Sequence, residues 1–314
     1  MSATSPNKIV RGLRRTILAK DERPAWMPRT SWPMNILKAI SLLIIVSLVI
    51  IPFLVVVSTS LASQDNVIDA GGWVLWPSEV SFEAYSAILT GGIVTRATLI
   101  SIGVTAIGTA ISLAVTIGMA YALARRGLFA GKPLILMVLL TFLFSPGMIP
   151  TYLVVQQLGL IDSWWSLIFP ITVNAFNLIV LRGFFQGVPQ ELHEAARLDG
   201  AGDWRILLQI VLPLSKAAVA VVGLFYAVSY WNAFFGAILY LNDAEKWPLQ
   251  VVLRQYVLEA SPLAGSISEA EAMLSAPNSI QMAVLVLALI PILLVYPFVQ
   301  RHFTKGVLTG AVKA

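Results

Sequence analysis

The chain has 314 residues, of which 58% are hydrophobic and 12% are charged, and its formal net charge is +5. Soluble domains carry about 25% charged residues, so this composition indicates a membrane protein. The sequence contains no cysteine, which excludes disulfides, thiolate nucleophiles and metal sites with cysteine ligands.

A basic N-terminal segment, residues 1–37, precedes a region, residues 38–314, that contains six long apolar stretches. An apolar stretch of about 20 residues is long enough to cross the hydrocarbon core of a bilayer as a helix. The fourth stretch is short and contains Pro170. We therefore predict an all-α polytopic membrane protein with six transmembrane helices, at about 38–61, 97–123, 134–156, 164–182, 214–240 and 280–299.

The distribution of Lys and Arg predicts the orientation of these spans. With the N-terminus in the cytoplasm, all but three of the 21 Lys and Arg residues lie on the inner side, the exceptions being Arg96, Lys246 and Arg254. The positive-inside rule favours this topology, with both termini cytoplasmic. The positive charge is therefore expected to face membrane lipids and not nucleic acid. Residues 8–20 fit either a basic helix on the inner leaflet or a disordered basic tail.

Small residues recur every four positions in the second span. They form two stripes, Ala106, Ala110, Ala114, Gly118 and Ala122, and beside them Gly108, Ser112, Thr116, Ala120 and Ala124. Such stripes allow another helix backbone to approach closely. The third span contains the run Ser-Pro-Gly-Met-Ile-Pro at residues 145–150, which predicts a break in its helix.

Uncharged polar and aromatic side chains in the fourth and fifth spans are candidates for a transport pathway. They are Asn174 and Asn177, at i and i+3 on one face of the fourth span, and Tyr230, Trp231 and Asn232 in the outward half of the fifth. Amides and aromatic rings suit sugar hydroxyls and sugar rings. The same residues also suit hydrogen bonds between helices, and the sequence leaves both interpretations open.

A polar loop between the fourth and fifth spans carries the most specific motif of the chain. It reads Glu194-Ala195-Ala196, then Gly200 after three residues, then Ile210-Val211-Leu212-Pro213 after nine. Pro189 suits the start of a short helix, and Gly200 suits a turn with positive φ. A second helical segment is predicted over 203–212, and Glu194 and Asp199 offer charges that hold the turn or meet a partner.

This motif resembles the cytoplasmic loop of permease subunits in binding-protein-dependent ABC importers, which have the MetI-like type I permease fold. The resemblance extends over about residues 38–314. Several flanking segments are similar to sugar-importer permeases of the maltose MalG type, and the C-terminal segments are similar to the LplC/YtcP branch of that family. They include Leu158 to Trp165, Asn174 to Asn177, Arg182 to Phe185, Tyr230 to Asn232, Pro248 to Gln250, Ser279 to Ala283 and Gly310 to Ala314.

The resemblance implies a MetI-like core at about 95–300 and a coupling loop at 183–213 that docks on an ATPase. The docking residues implied are Glu194, Ala195, Ala196, Asp199, Gly200, Ile210, Leu212 and Pro213. It also implies a homologous second permease, two ABC ATPase subunits and an extracytoplasmic solute-binding protein. ATP is then bound by the partner subunits, because this chain lacks a Gly-x-x-x-x-Gly-Lys-Ser/Thr loop. The branch implies an oligosaccharide cargo from a complex polysaccharide.

We therefore expect a multi-pass permease of the cell membrane and not an enzyme. No convergent set of nucleophile, base and metal ligands is evident in the sequence. Two alternatives stay open, an ABC permease for a solute other than sugar and an ATP-independent secondary carrier. The carrier is disfavoured because no Lys or carboxylate is clearly placed at the middle of a span.

Overall fold

A computed structural model describes residues 32–90, 92–125, 127–256 and 278–311 of the chain. Within these ranges the regular structure is helical, and the β-type pairing is a single isolated bridge between Ala62 and Val80. The predicted basic segment at 8–20 and the last three residues lie outside the described residues.

The described helices alternate between long apolar segments and short connecting ones. In chain order they are α1 Trp32–Ser60, α2 Gln64–Asp69, α3 Glu83–Leu89, α4 Ile93–Ala124, α5 Gly131–Leu143, α6 Met148–Gln157, α7 Trp165–Ile168, α8 Ala175–Gln186, α9 Gln190–Leu198, α10 Asp203–Ile206, α11 Lys216–Trp231, α12 Phe235–Tyr240, α13 Leu249–Arg254 and α14 Asn278–Ala311. The chain divides into two units after Phe53, and the described part of the first unit is residues 32–53 of α1. The packing described below lies within the second unit, residues 54–314.

Six membrane crossings are accommodated by these helices. Three continuous segments are long and apolar enough to span a bilayer, namely Trp32–Ser60, Ile93–Ala124 and Asn278–Pro297. Three bent pairs of helices meet the same test when each pair is counted as one span. The predicted all-α polytopic class is therefore confirmed, and the predicted spans differ from the observed ones chiefly where a helix is broken.

The third predicted span is two helices, α5 and α6, that meet at an angle of 114°. The break lies in the predicted proline-rich run, where Gly147 has φ of +81°. Pro146 and Pro150 lack the backbone N–H that a continuous helix needs. The predicted break in the third span is confirmed.

The fourth and fifth predicted spans also need correction. The fourth consists of α7, a 3-10 turn at Phe169–Ile171, and α8, with a bend of 52°. The fifth does not continue to residue 240, because α11 ends at Trp231 and α12 is a separate helix. At this end the backbone N–H of Asn232 still bonds to the Val228 carbonyl (3.1 Å), but the N–H of Ala233 bonds to the carbonyl of Tyr230, only three residues back (3.1 Å). The Asn232 side chain also donates to the Val228 carbonyl (2.8 Å).

The centre of the second unit is the contact between α4 and α11. Gly108 lies against the ring of Tyr230 so closely that a Cβ at this position would be 2.7 Å from the ring. The hydroxyls of Ser112 and Tyr230 are 2.7 Å apart, and those of Thr116 and Tyr226 are also 2.7 Å apart. The predicted close packing is thus confirmed for the stripe that begins at Gly108.

The two tyrosines of α11 also compensate for the bend in the fourth span. The Tyr226 hydroxyl accepts a hydrogen bond from the backbone N–H of Asn174 (3.0 Å), and the Tyr230 hydroxyl donates to the carbonyl of Ile168 (3.3 Å). A bent helix leaves backbone groups without partners, which is costly away from water. The α4–α11 pair and the α7–α8 break are therefore one hydrogen-bonded unit.

Candidate functional site

The motif loop folds as a short helix, a tight turn and a second helical segment. The helix α9 begins after Pro189, which has φ of −54°, and ends at Leu198. The turn follows because Gly200 has φ of +79°, a conformation that L-residues with a Cβ rarely adopt. The backbone N–H of Ala201 then bonds to the carbonyl of Ala196 (2.9 Å), which closes the helix end. The predicted helix, turn and positive φ are confirmed.

The outer surface of this loop combines polar residues with large apolar side chains. Glu194 and Ala195 are exposed, while Ala196 is half-buried and packs against the core. Leu198 is 90% exposed and Trp204 is 73% exposed. Burial of a leucine or tryptophan is favourable by about 1.5–3 kcal/mol or more, so these side chains offer a surface that a partner can cover.

The second helical segment anchors the loop to the rest of the second unit. After α10 the chain forms a π-helical turn at Leu207–Val211, and the helix then bends by 87° into α11. Pro213 has no N–H to donate to the carbonyl of Gln209, which favours the irregular turn. Leu207 and Val211 are buried in the core.

Two other motif residues of this segment, Ile210 and Leu212, are half-buried against the same core. Pro213 is exposed. The base of the loop is therefore fixed by apolar packing, and its tip projects.

The charged residues of the loop make contacts within the loop and beyond it, and the predicted meeting of Glu194 or Asp199 with a partner stays a prediction. Glu194 accepts a hydrogen bond from the Gln190 side chain (2.7 Å), within its own helix. Asp199 is the C-cap of α9, and in the described part of the loop the ion-paired carboxylate is that of Asp203. Its partners are Arg125, which follows α4, and Arg197 of α9, whose nitrogen is 3.8 Å away.

The pKa values of this pair follow from the contact. The side-chain hydrogen bond from Arg125 lowers the pKa of the Asp203 carboxyl below its usual value, and the same bond raises the pKa of Arg125. The pair therefore stays ionised throughout the neutral pH range. Sequence reasoning missed this contact because the two residues are far apart in the chain.

The structure separates the predicted pathway residues into two groups. Asn174 is the N-cap of α8, where its side-chain oxygen accepts from the Asn177 backbone N–H (3.1 Å), so the two do not share a face of one span helix as predicted. Asn177 is buried. The Asn174 side-chain bond lies within α8, so it is not the hydrogen bond between helices that the alternative interpretation predicted, and the place of both asparagines in the pathway stays a prediction.

The residues at the end of α11 differ in exposure. Tyr230 is buried against α4, and the buried Trp231 donates from Nε1 to the carbonyl of Ala288 on α14 (3.0 Å). Asn232 is exposed. Of the five predicted pathway residues, Asn174 and Asn232 are exposed, and Asn232 is the exposed one at the end of α11.

The bent apolar spans and the projecting polar loop between two of them define a multi-pass membrane protein. Residues 114–309 match the family described as binding-protein-dependent transport system inner membrane component. The chain belongs to this family. It is accordingly the permease component of an ABC importer, a membrane protein and not an enzyme.

Similar proteins extend this match over most of the chain. The polygalacturonan/rhamnogalacturonan transport system permease protein YtcP of Bacillus subtilis is 50% identical, over 82% of this chain and 90% of the relative. Protein LplC of the same organism is 42% identical, over 82% of this chain and 87% of the relative. A crystal structure of a bacterial ABC transporter involved in the import of the acidic polysaccharide alginate aligns with a TM-score of 0.79 at 31% identity, covering 88% of this chain and 100% of the other.

Proposed function

We propose that this chain translocates an oligosaccharide across the cell membrane as one of two homologous permeases. The complex would also contain two ABC ATPase subunits, which bind the ATP, and an extracytoplasmic solute-binding protein. The basic tail at 1–37 would lie in the cytoplasm, and residues 38–314 would form the multi-pass permease domain with its MetI-like core at about 95–300. Family membership supports this assembly.

One observation carries the proposed docking function. Leu198 and Trp204 are the most exposed of the large apolar side chains in the loop, and a helical hairpin whose base is packed into the core holds them in place. Exposed large apolar side chains on an ordered element are typical of a surface that is covered by a partner. The proposed docking surface consists of these two residues together with Glu194, Ala195, Ala196, Asp199, Gly200, Ile210, Leu212 and Pro213.

Docking in this way allows the ATPases to drive alternating access. When two ATPase subunits close around ATP, the α9 helices of the two permeases are drawn together. The spans then open outward and receive the solute from the binding protein, and hydrolysis restores the inward-facing state. Because the loop is rigid, a displacement of α9 is carried into the spans and is not absorbed within the loop.

We propose that the cargo is an oligosaccharide derived from an acidic polysaccharide. The named cargo of the relative YtcP is polygalacturonan/rhamnogalacturonan, and that of the similar transporter structure is alginate. Galacturonate units carry a carboxylate that is ionised at neutral pH, so such cargo is anionic.

The cargo is tested by ATP hydrolysis in the reconstituted complex with its solute-binding protein. We expect oligogalacturonates to stimulate hydrolysis and neutral maltooligosaccharides of equal length to leave it at the basal rate. Stimulation by the neutral sugars alone would refute an acidic oligosaccharide as the cargo. Stimulation by neither sugar would refute oligogalacturonates as the cargo.

Asn232 is the proposed contact with the sugar, because its amide is exposed beside the end of α11. We expect Asn232→Ala to raise the half-stimulating oligosaccharide concentration about two- to tenfold, the value of one hydrogen bond. The thermal stability of the variant should stay that of the wild type. The control is Trp231→Phe, which removes the buried bond to Ala288 and should lower stability instead. An unchanged sugar response of Asn232→Ala would remove it from the pathway.

A further inference from the structure

We propose that Arg125 and Asp203 are positioning residues that transmit the motion of the docking loop to the span α4. The inference rests on the proposed docking of an ATPase to that loop. It adds a second connection between loop and membrane, besides the continuous chain that leads from α10 through the π turn into α11.

Asp203 lies where two guanidinium groups meet. It occupies the first turn of α10, and its carboxylate pairs with Arg197 at the end of α9 and with Arg125 directly after α4. One carboxylate thus joins the docking helix, the second helical segment and the end of a transmembrane span.

Arg125 is itself held by the core of the protein. Its guanidinium lies 4.9 Å from the centre of the Tyr121 ring, and it donates to the Tyr121 hydroxyl at 3.4 Å. Tyr121 is a buried residue of α4. The adjoining carbonyl of Leu123 accepts a hydrogen bond from Arg182 of α8 (2.9 Å). The end of α4 is therefore fixed to rigid elements, and a force on Arg125 acts on the helix.

Arg125 and Arg197 both line an open pocket of about 860 Å³ between the segment after α4 and α9. Side-chain packing between these two segments is therefore incomplete, and the ion pairs of Asp203 join them beside the pocket. Because α4 packs along α11 through Gly108, Ser112 and Thr116, displacement of α4 reaches the centre of the second unit.

The pair is too exposed to be important for folding. The side chains of Arg125 and Asp203 are 33% and 53% exposed. Exposed ion pairs contribute little to stability, so neutral variants are expected to fold and assemble. If the pair transmits motion, its variants should bind the ATPase normally but transport fewer molecules for each ATP hydrolysed.

The test uses the complete complex in proteoliposomes, with the wild type, Arg125→Gln, Asp203→Asn and the double variant. For each, the amount of co-purified ATPase is measured first, and then the oligogalacturonate molecules transported per ATP hydrolysed. We expect normal ATPase binding and a transported-to-hydrolysed ratio that falls about fivefold, within the range for residues that carry coupling between sites. In the double variant the ratio should fall no further than in either single variant, because each single substitution already removes the contact between Arg125 and Asp203.

The control is Arg96→Gln, which breaks the exposed ion pair between Arg96 and Glu245 (3.4 Å) near the other end of α4 and should leave the ratio unchanged. An unchanged ratio in the Arg125 and Asp203 variants, or losses that add in the double variant, would overturn the inference. A wild-type chain that retains no ATPase would instead refute the proposed docking, and the inference with it.

Discussion

Leu198→Glu/Trp204→Glu is expected to abolish co-purification of the ATPase with the permease. Both side chains are largely exposed, so the permease itself should fold and reach the membrane. Buried apolar anchors at interfaces are worth about 2 kcal/mol or more each, and a carboxylate in their place adds a desolvation cost. Two such changes correspond to a loss of affinity of about a thousandfold or more. The measurement is the amount of ATPase retained by the tagged, membrane-extracted chain.

The matched control makes the same changes on the other side of the membrane in the proposed orientation. Ile68 and Trp76 are 65% and 88% exposed, and Ile68→Glu/Trp76→Glu should retain the ATPase fully. If the loop variant retained as much ATPase as the wild type, Leu198 and Trp204 would not belong to the docking surface. Equal loss in both variants would indicate a general defect of assembly.

Gly108→Ala is expected to destabilise the permease by about 1–3 kcal/mol, the usual cost of an extra methyl group in a packed interior. The new Cβ would lie 2.7 Å from the ring of Tyr230. The ring is buried, and its hydroxyl is hydrogen-bonded to Ser112 and to the Ile168 carbonyl, so it has no free direction in which to move. The midpoint of thermal unfolding in detergent measures the effect.

The same substitution at Gly103, five residues earlier in α4, is the control, because nothing lies within 4 Å of a Cβ there. Alanine is favoured over glycine in helices by up to about 1 kcal/mol, so Gly103→Ala should be neutral or stabilising. Equal midpoints for the two variants would contradict the packing described between α4 and α11.

The features that the sequence predicted well are those set by local chemistry. Apolar length predicted the membrane class, and small residues at four-residue spacing predicted close packing of α4 against another helix, although not which one. Gly200 was predicted at the turn because few other residues adopt positive φ. The break at residues 145–150 followed from proline, which cannot complete a helical ladder.

The features that were missed depend on contacts between distant segments. Hydropathy predicted a fifth span to residue 240, but it does not register that the helix ends at Trp231, where the backbone changes its hydrogen-bond pattern. Asn174 was assigned to a helix face, whereas Tyr226 and the break before α8 make it a cap. The pairing of Arg125 with Asp203 has no signal in a single sequence, because neither residue type nor spacing specifies a partner in another element.

The membrane part and the loop of the permease have different proposed roles. Tyr226 and Tyr230 bond the bent fourth span to the α4–α11 pair, and these bonds fix the helices beside the proposed transport pathway. The exposed loop is the proposed site on which the motion of the ATPase acts. Mechanical coupling of this kind needs no chemistry from the chain itself, in keeping with its place in a family of permeases.

The most direct test of the central claim is oligogalacturonate uptake into proteoliposomes that contain the complete complex, measured with and without ATP on the ATPase side. The account predicts uptake that requires ATP, the solute-binding protein and a loop that carries Leu198 and Trp204. Uptake by this chain alone, without ATP and unaffected by Leu198→Glu/Trp204→Glu, would contradict it and establish a secondary carrier.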